Sequence, residues 1–266
     1  NKSSKSKMNT SHNKSKNKIY FVSDFHFGSP DGKSSIEREK QAVCWLENIE
    51  DSAEEIYLLG DIFDFWFEYK YVVPKGYVRF LGKLAQMSDA GCKIHFFCGN
   101  HDLWQRDYFE KELGFILHRK PLRFEKDGKQ FFVGHGDGLD KSDTKYKILN
   151  AIFKNKICIK LFASLHPRWA LAIGTHWSKQ SRHSHRKSDY QDRGQNEPMY
   201  QYCIQSLQSQ HTDFFIFGHR HLCCDKELKN HCRYINTGQW REKKPFAEWN
   251  GENLTLKNFD QAEEIH

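Results

Sequence analysis

Histidine, aspartate and asparagine recur in five short motifs, and each motif follows a run of apolar, β-prone residues. They are Asp24-Phe25-His26, Gly60-Asp61-Ile62-Phe63-Asp64, Gly99-Asn100-His101-Asp102, Gly134-His135-Gly136-Asp137 and Gly218-His219-Arg220-His221. That supply of carboxylate, amide and imidazole donors is enough for two metal ions, and a two-metal site of this kind suits in-line attack on phosphorus. Asp24 and His26 lie two apart, as do His219 and His221. In an extended strand each pair shares one face and can reach one ion. Asp61 carries two oxygens and can bridge two cations, with Gly60 permitting a tight turn beneath it. Asp64 is expected behind the ligands, orienting an imidazole; its plainer reading is a helix N-cap. Asn100 offers a neutral oxygen. His101 is expected to point away from the ligand place, where it can protonate a leaving oxygen or stabilise transition-state charge. His135 again closes a strand. A single histidine near a core is usually structural, but recurrence at strand ends argues against that reading here. His95, His118, His211 and His231 have no partner at ligand spacing and are not ligand candidates.

Such motifs need strands to present them. Apolar runs predict strands at Ile19–Ser23, Ile56–Leu59, Ile94–Cys98, Gln130–Val133, Asp213–Phe217 and Arg233–Asn236. Most are continuous runs, as in strands covered on both faces. A hairpin is predicted over 246–257, turning at Asn250-Gly251. Helical patterns span Ile36–Ile49, Gly76–Ala90 and Asn196–Gln210. This alternation argues for a layered α/β or αββα domain. A chain of 266 residues fits one such domain and buries enough surface to need no disulfides. The eight cysteines form no CxxC pair and read as buried, reduced thiols in a cytosolic protein. The Cys223-Cys224 pair lies too far from a hard-ligand site to be read as ligands. Residues 1–18 are rich in Ser, Asn and Lys and read as a disordered basic tail without the apolar core of a secretory signal. No run of 18 apolar residues exists to span a membrane.

The net charge of +7 is not spread evenly. Between Lys141 and Arg193, 12 Lys/Arg face 3 Asp/Glu, a surplus of 9 that exceeds that of the whole chain. This segment breaks the strand–helix rhythm and reads as a helical insertion, with helices over Tyr146–Leu165 and Pro167–Ser181. Its basic groups suit phosphates, anionic lipid or nucleic acid. Ser178, Lys179, Arg182 and Lys187 are its candidate phosphate-binding donors. Ile148, Leu149, Ile152, Phe153, Ile157, Leu161 and Phe162 could cover acyl chains. The plainer reading is a solvated basic hairpin with a small core of its own, and an amphipathic Lys-rich helix also suits a membrane surface.

The order DxH, GDxxD, GNHD, GHGD, GHRH resembles the calcineurin-like metallophosphoesterase superfamily, from about Ile19 to the strand near Trp249. The resemblance implies a four-layer αββα sandwich. The domain would cover residues 19–259, including the insertion at about 141–193, with a short tail over 260–266. It also implies a dinuclear site. Asp24, His26, Asp61 and His221 would bind one ion, and Asp61, Asn100, His135 and His219 the other. His101 would be the catalytic histidine.

The stretch Gly60–Phe67 is also similar to the GDxFxxW segment of the UDP-2,3-diacylglucosamine hydrolase family, which brings Trp66 in as a substrate-side residue. Chain length and the place of the basic insertion match that family too. The resemblance implies cleavage of the pyrophosphate of a nucleotide-linked lipid to UMP and 2,3-diacylglucosamine 1-phosphate in lipid A biosynthesis. It further implies manganese as the metal, the insertion as a lid, and peripheral association with the cytoplasmic face of the inner membrane. At His101 well-known members of that family carry Arg, whereas His is the residue of the wider superfamily.

Three other readings remain. A soluble phosphodiesterase or phosphatase would need the same ions but no apolar lid. A metal-free scaffold would need missing ligands, and none is missing. Nucleic-acid processing would use the basic insertion but lacks the aromatic interleaving of a single-strand groove, so no nucleic acid is expected.

Overall fold

The computed structural model describes residues 16–30, 34–139, 150–189 and 192–259, with the backbone alone over 182–189. Strand β1 (Lys18–Val22) is followed by α1 (Ser35–Ile49), β2 (Ala53–Leu58), α2 (Val78–Asp89), β3 (Lys93–Phe97), α3 (Tyr108–Leu113) and β4 (Ile116–His118). Next come β5 (Leu122–Lys126), β6 (Lys129–Gly134), α4 (Lys156–Ala163), α5 (Pro167–Asp189) and α6 (Pro198–Ser206). The chain ends with β7 (Phe214–Phe217), β8 (Cys224–Glu227), β9 (Arg233–Asn236), β10 (Pro245–Trp249) and β11 (Leu254–Asn258). Two sheets form. The first has the order β11-β10-β1-β2-β3-β4 and the second β5-β6-β7-β9-β8. Within them β1 to β4 run parallel, as do β6, β7 and β9.

Period-two alternation on buried strands builds the layers. In β1, Tyr20 and Val22 face α1 and α2, joining Trp45, Leu46, Phe80 and Leu84. Ile19 and Phe21 face the other way and pack between the sheets with Phe131, Val133, Ile216, Ile235 and Trp249. Phe132, Phe215 and Phe217 turn outward onto Met199 and Cys203 of α6. Helices, two sheets and a helix thus stack as the expected αββα sandwich.

Several expectations are corrected. Lys18 opens β1, so the ordered fold includes residues assigned to the tail; residues 1–15 and 260–266 lie outside the described residues. Strands β4, β5 and β8 and the short helix α3 were not anticipated, because each is short and carries mixed polarity. The first insertion helix does not run unbroken to Leu165. Helix over 150–154 gives way at Asn155, whose side chain caps α4 by accepting from the Ile157 and Cys158 amides. Residues 141–149, including Ile148 and Leu149, lie outside the described residues. All eight cysteines are free, yet Cys158 and Cys223 are exposed, not buried.

His95 and His118 also have partners, supplied by the sheet and not by chain spacing. Strands β3 and β4 are neighbours, and His95 Nδ1 lies 2.9 Å from His118 Nε2. His95 stacks on Tyr57, whose hydroxyl donates to Glu55 at 2.8 Å. Burial, reinforced by His95, lowers the His118 pKa to about 4. For Glu55 burial would raise the pKa, but the His95 imidazole 3.4 Å away and the Tyr57 hydroxyl outweigh it and hold the carboxyl at about 2. The signs agree. Below pH 6.5, the ordinary histidine value, the unfolded chain takes up the His118 proton first, so stability falls as pH drops towards about 4. The Glu55 contribution is complete above 4.5 and lost towards about 2. Melting temperature should therefore decline steadily below pH 6.5, and His118→Asn should flatten the part between 6.5 and 4. An unchanged profile in His118→Asn would assign the decline to other groups.

Candidate active site

The C-terminal ends of β1, β2, β3, β6 and β7 converge, and each delivers one of the five motifs, as expected for ligand sites in parallel α/β sheets. The donors do not lie on extended strand, contrary to the expectation from their two-residue spacing. Asp24, His26, Asp61 and His219 all have left-handed backbone, with φ of 55°, 45°, 52° and 66°. Residues with a Cβ adopt that region at a cost, and such strain gathers at functional sites. Here it lets successive residues aim inward from a loop. Arg38 of α1, buried beneath that loop, donates to the His26 carbonyl at 3.1 Å and the Ser29 carbonyl at 2.7 Å. A Cβ on Gly99 would overlap the Asp61 backbone and carboxyl, so only glycine allows β2 and β3 to close to this distance.

The donors fall into two groups joined by Asp61. In the first, His26 Nε2 and His221 Nε2 face each other at 3.2 Å. Both face Asp24 Oδ1, at 3.6 and 3.5 Å. In the second, Asn100 Oδ1 lies 3.1 Å from His135 Nε2 and 3.0 Å from His219 Nδ1. Asp61 Oδ2 stands between them, 3.8 Å from His26 Nε2 and 3.4 Å from His135 Nε2. The structure sends His219 to one group and His221 to the other, although a strand would give them one direction.

This donor set fits cations. Asp24 Oδ1 is buried and has no hydrogen-bond partner among the described residues, while its Oδ2 is held by Ser23 Oγ and by the His219 amide at 3.0 Å. A buried carboxylate oxygen left open before two imidazole nitrogens is an arrangement that a cation would complete. Asp24, His26 and His221 hold one donor atom each within 4.8 Å of one another, as do Asp24, Asp61 and His135. Electrostatics agree. Burial would raise the Asp24 and Asp61 pKa values, but the surrounding imidazoles hold both well below the usual carboxylate range. Burial lowers His26, and burial with the His135 charge lowers His219 to about 4. Burial would lower His135 as well, yet Asp61 raises it well above its usual value. An arriving cation would displace that proton.

His101 stands at the rim. Its amide donates to Asp61 Oδ1 at 2.9 Å, and its ring meets that of His26 edge-on. Its Nδ1 lies 2.9 Å from the Asp64 carbonyl and 2.7 Å from Ser178 Oγ. A carbonyl only accepts, so Nδ1 carries hydrogen. Asp64 Oδ1 faces His26 Nδ1 at 3.8 Å from behind, and Asp64 starts no helix, which removes the N-cap alternative.

Of the residues placed on the substrate side, Trp66 is corrected. It is fully buried and packs on Phe63, Tyr77, Tyr108 and Phe109, so the tryptophan is core. Its neighbours Phe65 and Phe67 point to the insertion instead, meeting Trp104 and Phe162. Phe153 joins them through Trp104 and Trp177. Ser178 is buried against His101, Lys179 is exposed, and the side chains of Arg182 and Lys187 lie outside the described residues. Ile157 and Leu161 of α4 and Trp169 and Ile173 of α5 are half or more exposed.

Sequence reasoning missed Asp102 and Arg38. Asp102 is buried and accepts from the Gly99 amide at 2.7 Å and the Ile62 amide at 2.8 Å, tying the second motif to the third. Its place in the GNHD motif was the available signal. Arg38 lies in an ordinary amphipathic helix and carried none.

Two sandwiched sheets that meet at clustered Asp, Asn and His donors define a metallophosphoesterase. Residues 17–223 match the calcineurin-like phosphoesterase family, and the chain belongs to it; it is a metal-dependent hydrolase. Among named relatives, the UDP-2,3-diacylglucosamine hydrolase of Porphyromonas gingivalis is 39% identical over 262 residues, covering 93% of this chain and all of that protein. The protein of the same name from Nitrosococcus oceani is 26% identical over 61% of this chain and 63% of its own length. Among solved structures, Yfce, a phosphoesterase from E. coli, superposes with a TM-score of 0.43 at 16% identity, covering 90% of this chain and 91% of that one.

Proposed function

We propose that this chain hydrolyses the pyrophosphate bond of UDP-2,3-diacylglucosamine, releasing UMP and 2,3-diacylglucosamine 1-phosphate in lipid A biosynthesis. The observation that carries the reading is the pairing of a phosphoesterase donor cluster with an aromatic-lined helical insertion, in a chain similar along 93% of its length to a hydrolase named for that substrate. Asp24, His26, Asp61 and His221 would hold one divalent ion, and Asp61, Asn100, His135 and His219 the other, with manganese the expected metal. Two such ions supply Lewis-acid charge at the phosphoryl oxygens and lower the pKa of water. His101, with Nδ1 occupied, offers Nε2 to the developing charge or the leaving oxygen. Asp64 backs His26 and so helps to aim the donor set.

In this reading the insertion is a lid. Phe65, Phe67, Trp104, Phe153 and Phe162 line its inner side and suit acyl chains, while Lys179, Arg182 and Lys187 supply charge for the substrate phosphates. No helix among the described residues is long and apolar enough to cross a membrane. The exposed apolar residues of α4 and α5 follow four-residue spacing, and with the basic charge of the segment they suit peripheral contact with the cytoplasmic face of the inner membrane.

The test is kcat/KM for the diacylated substrate against its deacylated counterpart. Each buried CH₂ stabilises binding by about 0.8 kcal/mol, so the diacylated compound should be favoured by orders of magnitude. Equal values would leave a soluble phosphodiesterase, the alternative that the histidine at position 101 favours.

A further inference from the structure

Ser178 belongs to the insertion, 77 positions along the chain from His101, yet it is buried against the motif that carries that histidine. Its hydroxyl donates to the Asp64 carbonyl at 2.6 Å. The same carbonyl accepts from His101 Nδ1 at 2.9 Å, and Nδ1 lies 2.7 Å from Ser178 Oγ. Three groups from three elements thus close a small triangle: a backbone carbonyl after β2, a ring nitrogen after β3 and a hydroxyl from α5. With Nδ1–H shared between the carbonyl and the hydroxyl oxygen, the imidazole is pinned at one edge. Nε2 is then the ring atom left to act beside Asp61 and His26.

A second feature explains how a helix comes this close. Ala170, Gly174 and Ser178 follow one another at four-residue spacing on α5, and all three are buried. A Cβ on Gly174 would overlap the ring of Phe65, the residue that follows Asp64. Glycine at that place lets the helix backbone rest on Phe65, and the next turn then delivers Ser178 to the Asp64 carbonyl.

We propose that Ser178 is a positioning residue for His101, so that docking of the lid helix through Gly174 on Phe65 completes the geometry of the catalytic histidine. The lid therefore acts on the chemical step as well as on substrate retention. This rests on the role given to His101 above and not on the identity of the substrate.

The experiment is a double-mutant cycle on the manganese-loaded full chain, with a small chromogenic phosphodiester that needs no acyl contacts. Ser178→Ala should lower kcat by about 3- to 10-fold, the range of one buried hydrogen bond, with KM and bound metal unchanged. Ser178→Thr should recover most of the rate. Gly174→Ala should lower kcat too, and adding Ser178→Ala to it should cost little more. In the His101→Ala background the Ser178→Ala effect should shrink to about twofold or less, because the two residues act as one unit. An equal loss in both backgrounds, or a rise in KM with kcat intact, would show Ser178 acting directly on substrate and overturn the positioning role. Full turnover in His101→Ala itself would instead remove the role of His101 on which the proposal stands.

Discussion

Replacing Asp61 with alanine should abolish turnover and lower bound metal in the same protein. Asp61 faces both donor groups, with Oδ2 3.4 Å from His135 Nε2 and 3.8 Å from His26 Nε2. Its Oδ1 accepts the His101 amide at 2.9 Å, so the same side chain also braces the loop that carries His101. Alanine removes a donor from both groups, takes away the main counter-charge of His135 and cuts one tether of that loop. Asp61→Asn separates these effects. It keeps the shape and an oxygen for the His101 amide but loses the negative charge, and it too should bind metal poorly. Metal analysis of the purified variants, alongside turnover of a chromogenic phosphodiester, checks both. Full metal stoichiometry with normal turnover in Asp61→Ala would sink the dinuclear assignment.

His101→Ala should behave differently. Turnover should fall by a factor on the order of 10²–10⁴, the usual contribution of an acid–base group, while metal content stays at the wild-type level. The motivation is geometric. Asn100 occupies the inward place between His135 and His219, whereas the neighbouring His101 ring is committed through Nδ1 to Asp64 and Ser178. One ring nitrogen of His101 still lies within 4.8 Å of donor atoms on His26 and Asp61. The experiment therefore decides between two roles: loss of a metal ion on mutation would make His101 a ligand.

Much of the fold could be read from the chain before any packing was known. The apolar runs Ile19–Ser23, Ile56–Leu59, Ile94–Cys98, Gln130–Val133 and Asp213–Phe217 are β-prone and closely followed by polar motifs, and each overlaps a strand. Short elements were less legible. β4 has three residues and β8 is Cys-Asp-Lys-Glu, so neither carries a periodicity strong enough to outweigh loop composition. The His95–His118 pair was invisible for a related reason: 23 residues separate them, and only the β3–β4 pairing makes them neighbours.

Residue types along the chain are enough to set the kind of chemistry. Cation binding depends on donor types that few other residues can replace, and the ligands proposed here, Asp24, His26, Asp61, Asn100, His135, His219 and His221, are visible as letters at strand ends. Residue types also set the layered fold, because alternation along β1, β6 and β7 sends successive side chains to opposite faces. Whatever depends on direction came from packing and backbone geometry. Left-handed backbone at Asp24, His26, Asp61 and His219 replaced strand alternation as the means of aiming donors, and it parted His219 from His221. Packing placed Trp66 in the core and turned its neighbours Phe65 and Phe67 to the insertion. Contact between α5 and Phe65 brought Ser178 to His101. None of these follows from spacing, since each depends on how closely two distant stretches of backbone approach, and that distance is set by the side chains packed between them.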